Sequence, residues 1–190
     1  MEEKLIFISG GARSGKTSFA EAYAEKLARS DNRPLCYLAS SQKEDEEMRS
    51  RVERHQRDRE ESDSNWQTVE RPADIGGLAS HFTQNEVALL DCVTLLLSNE
   101  LFQGTFDEKI FLEKSFQNQV KNKIVKGITD LSKHLAYLFV VSNEVLYEPV
   151  HSENQVVWVY QKLLGEIHQE IVAHADEAYL IEASIPIRKK

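Results

Sequence analysis

The sequence predicts an α/β fold with a mainly parallel sheet flanked by helices, and three observations lead to this prediction. Short apolar segments typical of buried strands alternate with longer segments of helical periodicity along the whole chain. Such alternation favours parallel strands joined by right-handed crossovers. The 190 residues are 41% hydrophobic, which is enough to bury the core of one domain spanning residues 1–190. A G-x-x-x-x-G-K-[ST] motif follows the first apolar segment.

This motif, the phosphate loop, has the flanks that its chemistry requires. Residues 5–8 form a short apolar run, and Phe19, Tyr23 and Leu27 recur at helical spacing after the motif. The motif therefore lies between a strand and a helix. The alternative, a chance glycine turn, does not account for these flanks. The eight positions of the phosphate loop are Gly10, Gly11, Ala12, Arg13, Ser14, Gly15, Lys16 and Thr17.

Each part of the phosphate loop has a role in binding a polyphosphate. The glycines allow successive backbone N–H groups to face the phosphates, and the helix that follows directs its positive end toward them. Lys16 would reach the outer phosphates, and the Thr17 hydroxyl would bind Mg²⁺. The sequence thus predicts a nucleotide-binding protein.

Charge and cysteine content narrow the class of protein. A net charge of −8 argues against general affinity for nucleic acid, whose phosphates the protein would repel. Cys36 and Cys92 lie in apolar segments, as expected for reduced core thiols rather than for a disulfide framework. The N-terminal residues lead into the first strand without a targeting segment, and no apolar stretch approaches membrane-spanning length. We expect a cytoplasmic protein that does not enter a membrane.

Residues 35–39 form a second apolar run, the second predicted strand. Ser40, Ser41 and Gln42 follow at its carboxyl end, where ligands usually lie in α/β sheets. These residues could contact a ligand or cap the next helix, and the pattern alone favours the cap. Residues 43–64 are almost entirely charged, which predicts a solvated helix or a mobile arm.

His55 lies in this charged segment, bracketed by Arg51, Arg54, Arg57 and Arg59. Four arginines in an acidic protein could face the polyphosphate from the side opposite the phosphate loop. An imidazole held there could attack phosphorus. A histidine on a polar helix is nevertheless usually a surface residue, and the residue pattern by itself favours that interpretation.

Asp91 ends the next buried strand. Residues 66–70 alternate as a short strand, residues 75–82 are weakly helical, and residues 87–90 form an apolar run that leads into Asp91. A strand that ends in an acid is the Walker B arrangement, in which the carboxylate supports the Mg²⁺ shell. The alternative role is a helix cap, and the intact phosphate loop favours the metal.

The rest of the chain continues the alternation. Residues 107–134 predict one long amphipathic helix, residues 137–141 a buried strand and residues 154–175 a further helix. Residues 177–183 predict the last strand. We assign no chemistry to the helix at residues 107–134 from its pattern.

Taken in order, seven segments resemble the bifunctional adenosylcobinamide kinase and adenosylcobinamide-phosphate guanylyltransferase family of cobalamin biosynthesis. They read ISGGARSGKTSFAE, YLASSQ, DEEMRSRVERHQRDR, WQTVE, LLDCVTLLLSN, VVSNEV and ADEAYLI. The resemblance implies a RecA-like phosphate-loop fold and a homotrimer. It also implies two reactions: phosphorylation of adenosylcobinamide with ATP or GTP, and then transfer of GMP from GTP to the new phosphate through a histidine. By similarity that histidine is His55, which reverses the interpretation as a surface residue.

The resemblance also implies the site residues. Lys16 and His55 would be catalytic, and Thr17 and Asp91 would hold Mg²⁺. Beyond the phosphate loop, the family's nucleotide contacts correspond here to Ala39, Ser40, Ser41, Gln56, Arg57, Asp58, Arg59, Glu70 and Asp91.

The C-terminal third departs from the family's usual pattern. The chain reads NEVLYEPVHS at residues 143–152, where the family typically has a glycine-containing NEVGxGIVP. Ser184 stands where a glycine before Pro186 is usual. Because glycine permits backbone shapes that other residues resist, these changes leave the nucleotide half of the resemblance better supported than the corrinoid half. Two alternatives therefore stay open: a small-molecule kinase without the guanylyl step, and a GTP-binding protein without transfer chemistry.

Overall fold

A seven-stranded sheet forms the centre of the protein. The structure, a computed structural model, describes residues 4–41, 65–104, 107–145 and 154–190. The strand order is β3-β2-β4-β5-β1-β6-β7, and every neighbouring pair is parallel except β6 and β7. The strands are β1 (Lys4–Gly10), β2 (Leu35–Ala39), β3 (Trp66–Glu70), β4 (Val87–Asp91), β5 (Tyr137–Asn143), β6 (Glu177–Glu182) and β7 (Ile185–Arg188). The expected α/β class with a mainly parallel sheet is confirmed.

Helices cover both faces of the sheet. They are α1 (Lys16–Asp31), α2 (Val93–Leu101), α3 (Glu108–Leu112), α4 (Lys114–Ser132) and α5 (Gln155–His174), with a 3₁₀ helix at Ile75–His81. α1 packs on the face that carries Ile6 and Ile8. The helices α2 to α5 pack with the opposite face, which carries Leu5 and Phe7. Successive residues of β1 therefore point to opposite faces of the sheet, and both faces are buried. This explains why the apolar run of β1 is continuous rather than alternating with polar residues.

Small residues bring α1 close to the sheet. Ala20, Ala24 and Ala28 recur every four residues and are almost fully buried. That spacing places them on one stripe of the helix, and the short side chains let its backbone approach the strands. The phosphate loop, which connects β1 to α1, is therefore anchored at both ends by buried structure.

The predicted helix over residues 107–134 is wrong in one respect. The structure has two helices there, because Glu113 is extended (φ −72°, ψ 127°) and separates α3 from α4. The carbonyl of Phe111 at the break accepts a hydrogen bond from the Gln117 side chain at 3.1 Å. The Gln117 side chain thus replaces the backbone N–H that this carbonyl would bond in a continuous helix. The bond stabilises the interruption at Glu113, although glutamate is a good helix former.

The C-terminus contains a strand that the sequence did not predict. β6 ends at Glu182 rather than at residue 183, and β7 pairs with it antiparallel after a two-residue turn. Ala183 (φ 49°) and Ser184 (φ 64°) both adopt the left-handed conformation in this turn. Neither is a residue that favours this conformation, so the usual hairpin signal is missing.

Two other expectations concern the core and the membrane. Cys36 and Cys92 are free and buried, which confirms that they are reduced core thiols, and burial raises the pKa of each to about 11. Across the parts of the chain that the structure describes, none of the helices combines the length and the apolar character needed to cross a membrane. The charged segment at residues 43–64, predicted as a solvated helix or a mobile arm, lies outside the described residues.

Candidate active site

Those predicted nucleotide-binding residues that the structure describes converge at the carboxyl edge of the sheet. In the register of the strands, Ala39 at the end of β2 aligns with Glu70 of β3 and with Asp91 of β4. Gly10 at the end of β1 aligns with Asn143 of β5, and β5 separates β1 from β4. Parallel strands bring their carboxyl ends to one edge, so residues far apart in sequence meet there.

The phosphate loop is tightly folded. The Ser14 N–H donates to the Gly11 carbonyl at 3.2 Å, and Gly15 adopts a left-handed conformation (φ 91°) directly before α1. A Cβ atom on Gly10 would lie 2.6 Å from the Ile181 carbonyl oxygen, so only glycine fits there. The Ser14 Oγ is buried and has no hydrogen-bond partner within the described ranges. A buried hydroxyl in this state is available to a ligand.

The N-terminus of α1 is prepared for an anion. Its cap residue, Gly15, offers no side-chain hydrogen bond, and the first turn contains no acidic residue. The positive end of the helix is therefore not neutralised by the chain itself. Lys16 is only 8% exposed, and its Nζ lies 3.2 Å from the Gly11 carbonyl oxygen. The ammonium group thus lies over the phosphate loop.

Thr17 and Asp91 meet across the sheet edge. The Thr17 hydroxyl donates to Asp91 Oδ2 at 3.2 Å, and the Tyr37 hydroxyl donates to the same oxygen at 2.7 Å. Asp91 does not cap α2, whose cap position is Cys92 and has no side-chain cap bond. The carboxylate instead faces the phosphate loop, so the alternative role of a helix cap does not apply. Hydroxyl and carboxylate oxygens of this kind suit Mg²⁺.

Tyr37 is a site residue that the sequence analysis missed. It lies within a buried apolar run and is itself only 7% exposed, so its pattern is that of a core residue. The sequence does contain one indication of its role: a tyrosine in a buried strand usually needs a hydrogen-bond partner for its hydroxyl. Tyr37 precedes Ala39 by two positions, which places both side chains on the same face of β2.

Ser40 holds the chain that follows Asp91. It is fully buried, and its hydroxyl accepts from the Cys92 N–H at 2.7 Å and donates to the Cys92 carbonyl at 2.8 Å. Its own N–H donates to the Asp91 carbonyl at 3.0 Å. The Asn99 side chain donates to the Ser40 carbonyl at 2.8 Å. The Ser40 hydroxyl is therefore committed to the protein backbone, whereas Ser41 is partly exposed at the edge.

A polar network continues to the end of β5. The Asn143 side chain donates to Thr94 Oγ1 at 3.1 Å, and the Tyr160 hydroxyl donates to the Thr94 carbonyl at 2.9 Å. Burial raises the pKa of the Tyr160 hydroxyl above its usual value. The Glu144 N–H donates to the Gly10 carbonyl at 2.9 Å. These bonds fix the end of β5 against the start of the phosphate loop.

The remaining predicted site residues are not part of the described structure. His55, Gln56, Arg57, Asp58 and Arg59 fall in the range 42–64, outside the described residues. The structure therefore brings together the phosphate loop, Ala39, Ser40, Ser41, Glu70 and Asp91 at one edge.

Comparison with known proteins places the chain in a family. The family model described as cobinamide kinase / cobinamide phosphate guanyltransferase matches residues 6–189. The chain belongs to this family. It is accordingly an enzyme of the family's bifunctional kinase and guanyltransferase type.

Two relatives match the chain over nearly its whole length. The bifunctional adenosylcobalamin biosynthesis protein CobU of Escherichia coli (strain K12) is 32% identical, over 98% of this chain and 99% of the relative. The protein of the same name from Salmonella typhimurium is 29% identical over the same shares of both chains. The family resemblance inferred from the motifs is thus confirmed.

The fold has counterparts among solved structures. One of them, an ATPase domain, superposes with a TM-score of 0.50 at 12% sequence identity, covering 94% of this chain and 69% of that one. At this identity the likeness concerns the fold alone. It agrees with the expected RecA-like phosphate-loop architecture.

Proposed function

We propose that the enzyme binds nucleoside triphosphates at the phosphate loop and carries out two transfers. In the first, ATP or GTP phosphorylates adenosylcobinamide. In the second, GTP gives GMP to adenosylcobinamide phosphate, forming adenosylcobinamide-GDP. Membership of the family supports the pair of reactions. The observation that carries the location of the site is the 3.2 Å contact between Thr17 and Asp91 beside the phosphate loop.

Three features of the phosphate loop support triphosphate binding. The uncapped N-terminus of α1 offers N–H groups and a positive dipole, Lys16 offers an ammonium group, and Ser14 offers a buried hydroxyl without a partner in the described chain. In a protein with a net charge of −8, these groups provide the local positive potential that a polyphosphate needs. When a nucleotide binds, Lys16 exchanges the Gly11 carbonyl for phosphate oxygens.

Thr17 and Asp91 would hold Mg²⁺. Both side chains end in the oxygen donors that this ion prefers, and they already converge on one point at the sheet edge. Bound Mg²⁺ would neutralise phosphate charge as it develops. Tyr37 and Ser40 keep Asp91 in place through its carboxylate and its backbone, so the carboxylate does not need to be ordered when the nucleotide arrives.

The kinase step needs no covalent enzyme intermediate. The substrate hydroxyl attacks the γ-phosphorus of the nucleotide, its proton passes to solvent, and the bond to the β-phosphate oxygen breaks to release the nucleoside diphosphate. Catalysis then depends on positioning and on charge neutralisation by the phosphate loop and Lys16.

The guanylyl step uses His55 as nucleophile. The neutral imidazole attacks the α-phosphorus of GTP and releases pyrophosphate, which leaves GMP bonded to the histidine nitrogen. A phosphate oxygen of adenosylcobinamide phosphate then attacks that phosphorus and frees His55. The support for this role is the sequence resemblance around His55. The same resemblance leads us to propose a homotrimer, which light scattering with size-exclusion chromatography would test.

One experiment tests the proposal. The wild-type enzyme is incubated with Mg²⁺ and GTP labelled at the α-phosphorus, and then separated by denaturing electrophoresis. We expect label to remain on the protein and to leave it when adenosylcobinamide phosphate is added. A protein that transfers γ-label from ATP to adenosylcobinamide but retains no α-label would be a kinase only. Binding of GTP without either transfer would contradict the proposal altogether.

A further inference from the structure

The turn between β6 and β7 contacts the phosphate loop from outside. The Ser184 N–H donates to the Ser14 carbonyl at 2.8 Å. The side chain of Ser184 also packs against Gly15, since a Cβ atom on Gly15 would lie 2.6 Å from Ser184 Oγ and 3.2 Å from Ser184 Cα. Residues from opposite ends of the chain therefore touch at the point where the phosphate loop enters α1.

This contact fixes the peptide between Ser14 and Gly15. Because a trans peptide is planar, its C=O and N–H point in opposite directions. A hydrogen bond that holds the Ser14 carbonyl toward Ser184 therefore directs the Gly15 N–H to the opposite side of the phosphate loop. Phosphate loops bind anions through such N–H groups, so the orientation of this peptide affects how well the loop is prepared for a nucleotide.

The conformation of the turn is consistent with a functional constraint. Ala183 and Ser184 are both left-handed, although neither is glycine, and residues without glycine's freedom adopt this conformation at a cost. The turn contains only these two residues between the paired positions Glu182 and Ile185. A two-residue turn allows little conformational freedom, so the pairing of the two strands determines the position of the Ser184 N–H.

We propose that the β6–β7 turn positions the phosphate loop and that the Ser184 N–H is the positioning group. It prepares the Ser14–Gly15 peptide for the nucleotide and does not itself touch the reacting atoms. The inference rests on the proposed nucleotide binding at the phosphate loop. By linkage, a nucleotide that binds the prepared loop stabilises the hydrogen bond from Ser184.

Two turn variants test the proposal. Insertion of one glycine between Ala183 and Ser184 lengthens the turn and displaces the N–H. The double substitution Ala183→Asn/Ser184→Gly keeps two residues and the N–H, in the sequence that such turns favour. We expect the insertion to weaken binding of GTP with Mg²⁺ by about three- to tenfold, the value of one hydrogen bond, and the double variant to bind like the wild type. A glycine inserted after the exposed Gly104 serves as the matched control.

The outcomes separate this inference from the proposed function. Lys16→Ala and the wild type are titrated in parallel, and a wild type that binds no GTP would contradict the proposed function. If the wild type binds but the insertion variant, with a native circular dichroism spectrum, binds equally well, the turn has no positioning role. A double variant as weak as the insertion would show that the Ser184 N–H is not the positioning group.

Hydrogen exchange provides a measurement that needs no variant. If the insertion variant does not fold, amide exchange at Ser184 is followed in the wild type with and without GTP. We expect exchange at this amide to slow when GTP binds, while the amide of Lys189, which follows the last residue of β7 and donates to the Ala178 carbonyl, changes less. Equal exchange at Ser184 with and without GTP would overturn the proposal.

Discussion

The hydroxyl of Tyr37 lies 2.7 Å from Asp91 Oδ2, and the Thr17 hydroxyl lies 3.2 Å from the same oxygen. One carboxylate oxygen therefore accepts from a strand residue and from the first turn of α1. If Thr17 turns to a metal ion, Tyr37 remains to hold the carboxylate. Tyr37 thus connects the sheet core to the group that we propose supports Mg²⁺.

Tyr37→Phe removes only the hydroxyl. We expect the Mg²⁺ concentration for half-maximal rate to rise by about tenfold, because a hydrogen bond to a charged group contributes about 1.5–3 kcal/mol. Thermal stability should fall as well, because this hydrogen bond is already present without the metal, although the ring remains packed. Tyr179→Phe is the matched control, because its hydroxyl bonds to Glu177 instead. An Mg²⁺ titration identical to that of the wild type would mean that Tyr37 has only a packing role.

Asp91→Asn should impair metal use more than nucleotide binding. A neutral amide supports the metal shell poorly, while the backbone of the phosphate loop is unchanged, so the rate should fall further than the affinity for GTP. Mg²⁺ titrations of rate and of GTP binding measure the two effects. Asp176→Asn serves as control, because this carboxylate accepts from the Leu5 N–H at the opposite edge of the sheet. Equal losses of rate and affinity would argue against the metal role.

Lys16→Ala should abolish both transfers. The same ammonium group neutralises the triphosphate in each reaction, and we expect each rate to fall by about 10²- to 10³-fold or more. Lys26→Ala, an exposed change on the same helix, should leave both rates unchanged. Circular dichroism checks that both variants are folded. Near-normal rates of either reaction would show that the two reactions do not share the phosphate loop.

His55→Ala should separate the two activities. Guanylyl transfer needs a nucleophile that is neutral near pH 7, which alanine cannot provide, whereas the kinase step transfers its phosphoryl group directly. Protein labelling by α-labelled GTP should therefore disappear while phosphorylation of adenosylcobinamide continues. His134→Ala, at an exposed position after α4, is the control. The role of His55 would be excluded by a variant that still becomes labelled, or by an adduct mapped to another residue.

His168 predicts a pH dependence of stability. Its Nε2 is 2.7 Å from Ser142 Oγ, and burial lowers its pKa from 6.5 to about 4. The unfolded chain therefore binds more protons between pH 6.5 and pH 4, so His168 contributes stability above pH 6.5 that is lost as pH falls toward 4. The loss is up to about 3 kcal/mol. His168→Gln should flatten this part of a denaturation profile, whereas the exposed His174→Gln should not; a wild-type slope in His168→Gln would contradict the assignment.

The phosphate loop and Asp91 could be predicted from the sequence, but the residues that hold Asp91 in place could not. Three features were predicted because a single physical requirement explains both the residue type and its position. They are the buried run at residues 5–8, the glycines of the phosphate loop and the acid at the end of β4. Tyr37 escaped, and Ser40 was predicted as a nucleotide contact rather than as a support of the Cys92 backbone, because both roles depend on neighbours in space. In sequence, each is compatible with an ordinary strand or cap.

Two of the errors in secondary structure have local causes. The break at Glu113 follows from a bond between the Gln117 side chain and the Phe111 carbonyl, which helix propensity does not register. β7 escaped because its turn lacks glycine and its four residues are all exposed, so neither a turn signal nor a buried run marks it. A particular contact decided the first case, and the absence of both sequence signals explains the second.

The place of β1 in the sheet has a consequence for the synthesis of the protein. β1 is synthesised before both strands that flank it in the sheet, β5 on one side and β6 on the other, because these lie much later in the chain. Until β5 has been synthesised, the strand that precedes the phosphate loop has neither of these partners, and its apolar residues have no finished core to enter. A nascent chain therefore leaves the apolar residues of β1 without their sheet partners until β5 follows. Nucleotides can assist folding only once β6 has also been synthesised, because β1 holds the phosphate loop in place only after both partners have joined it.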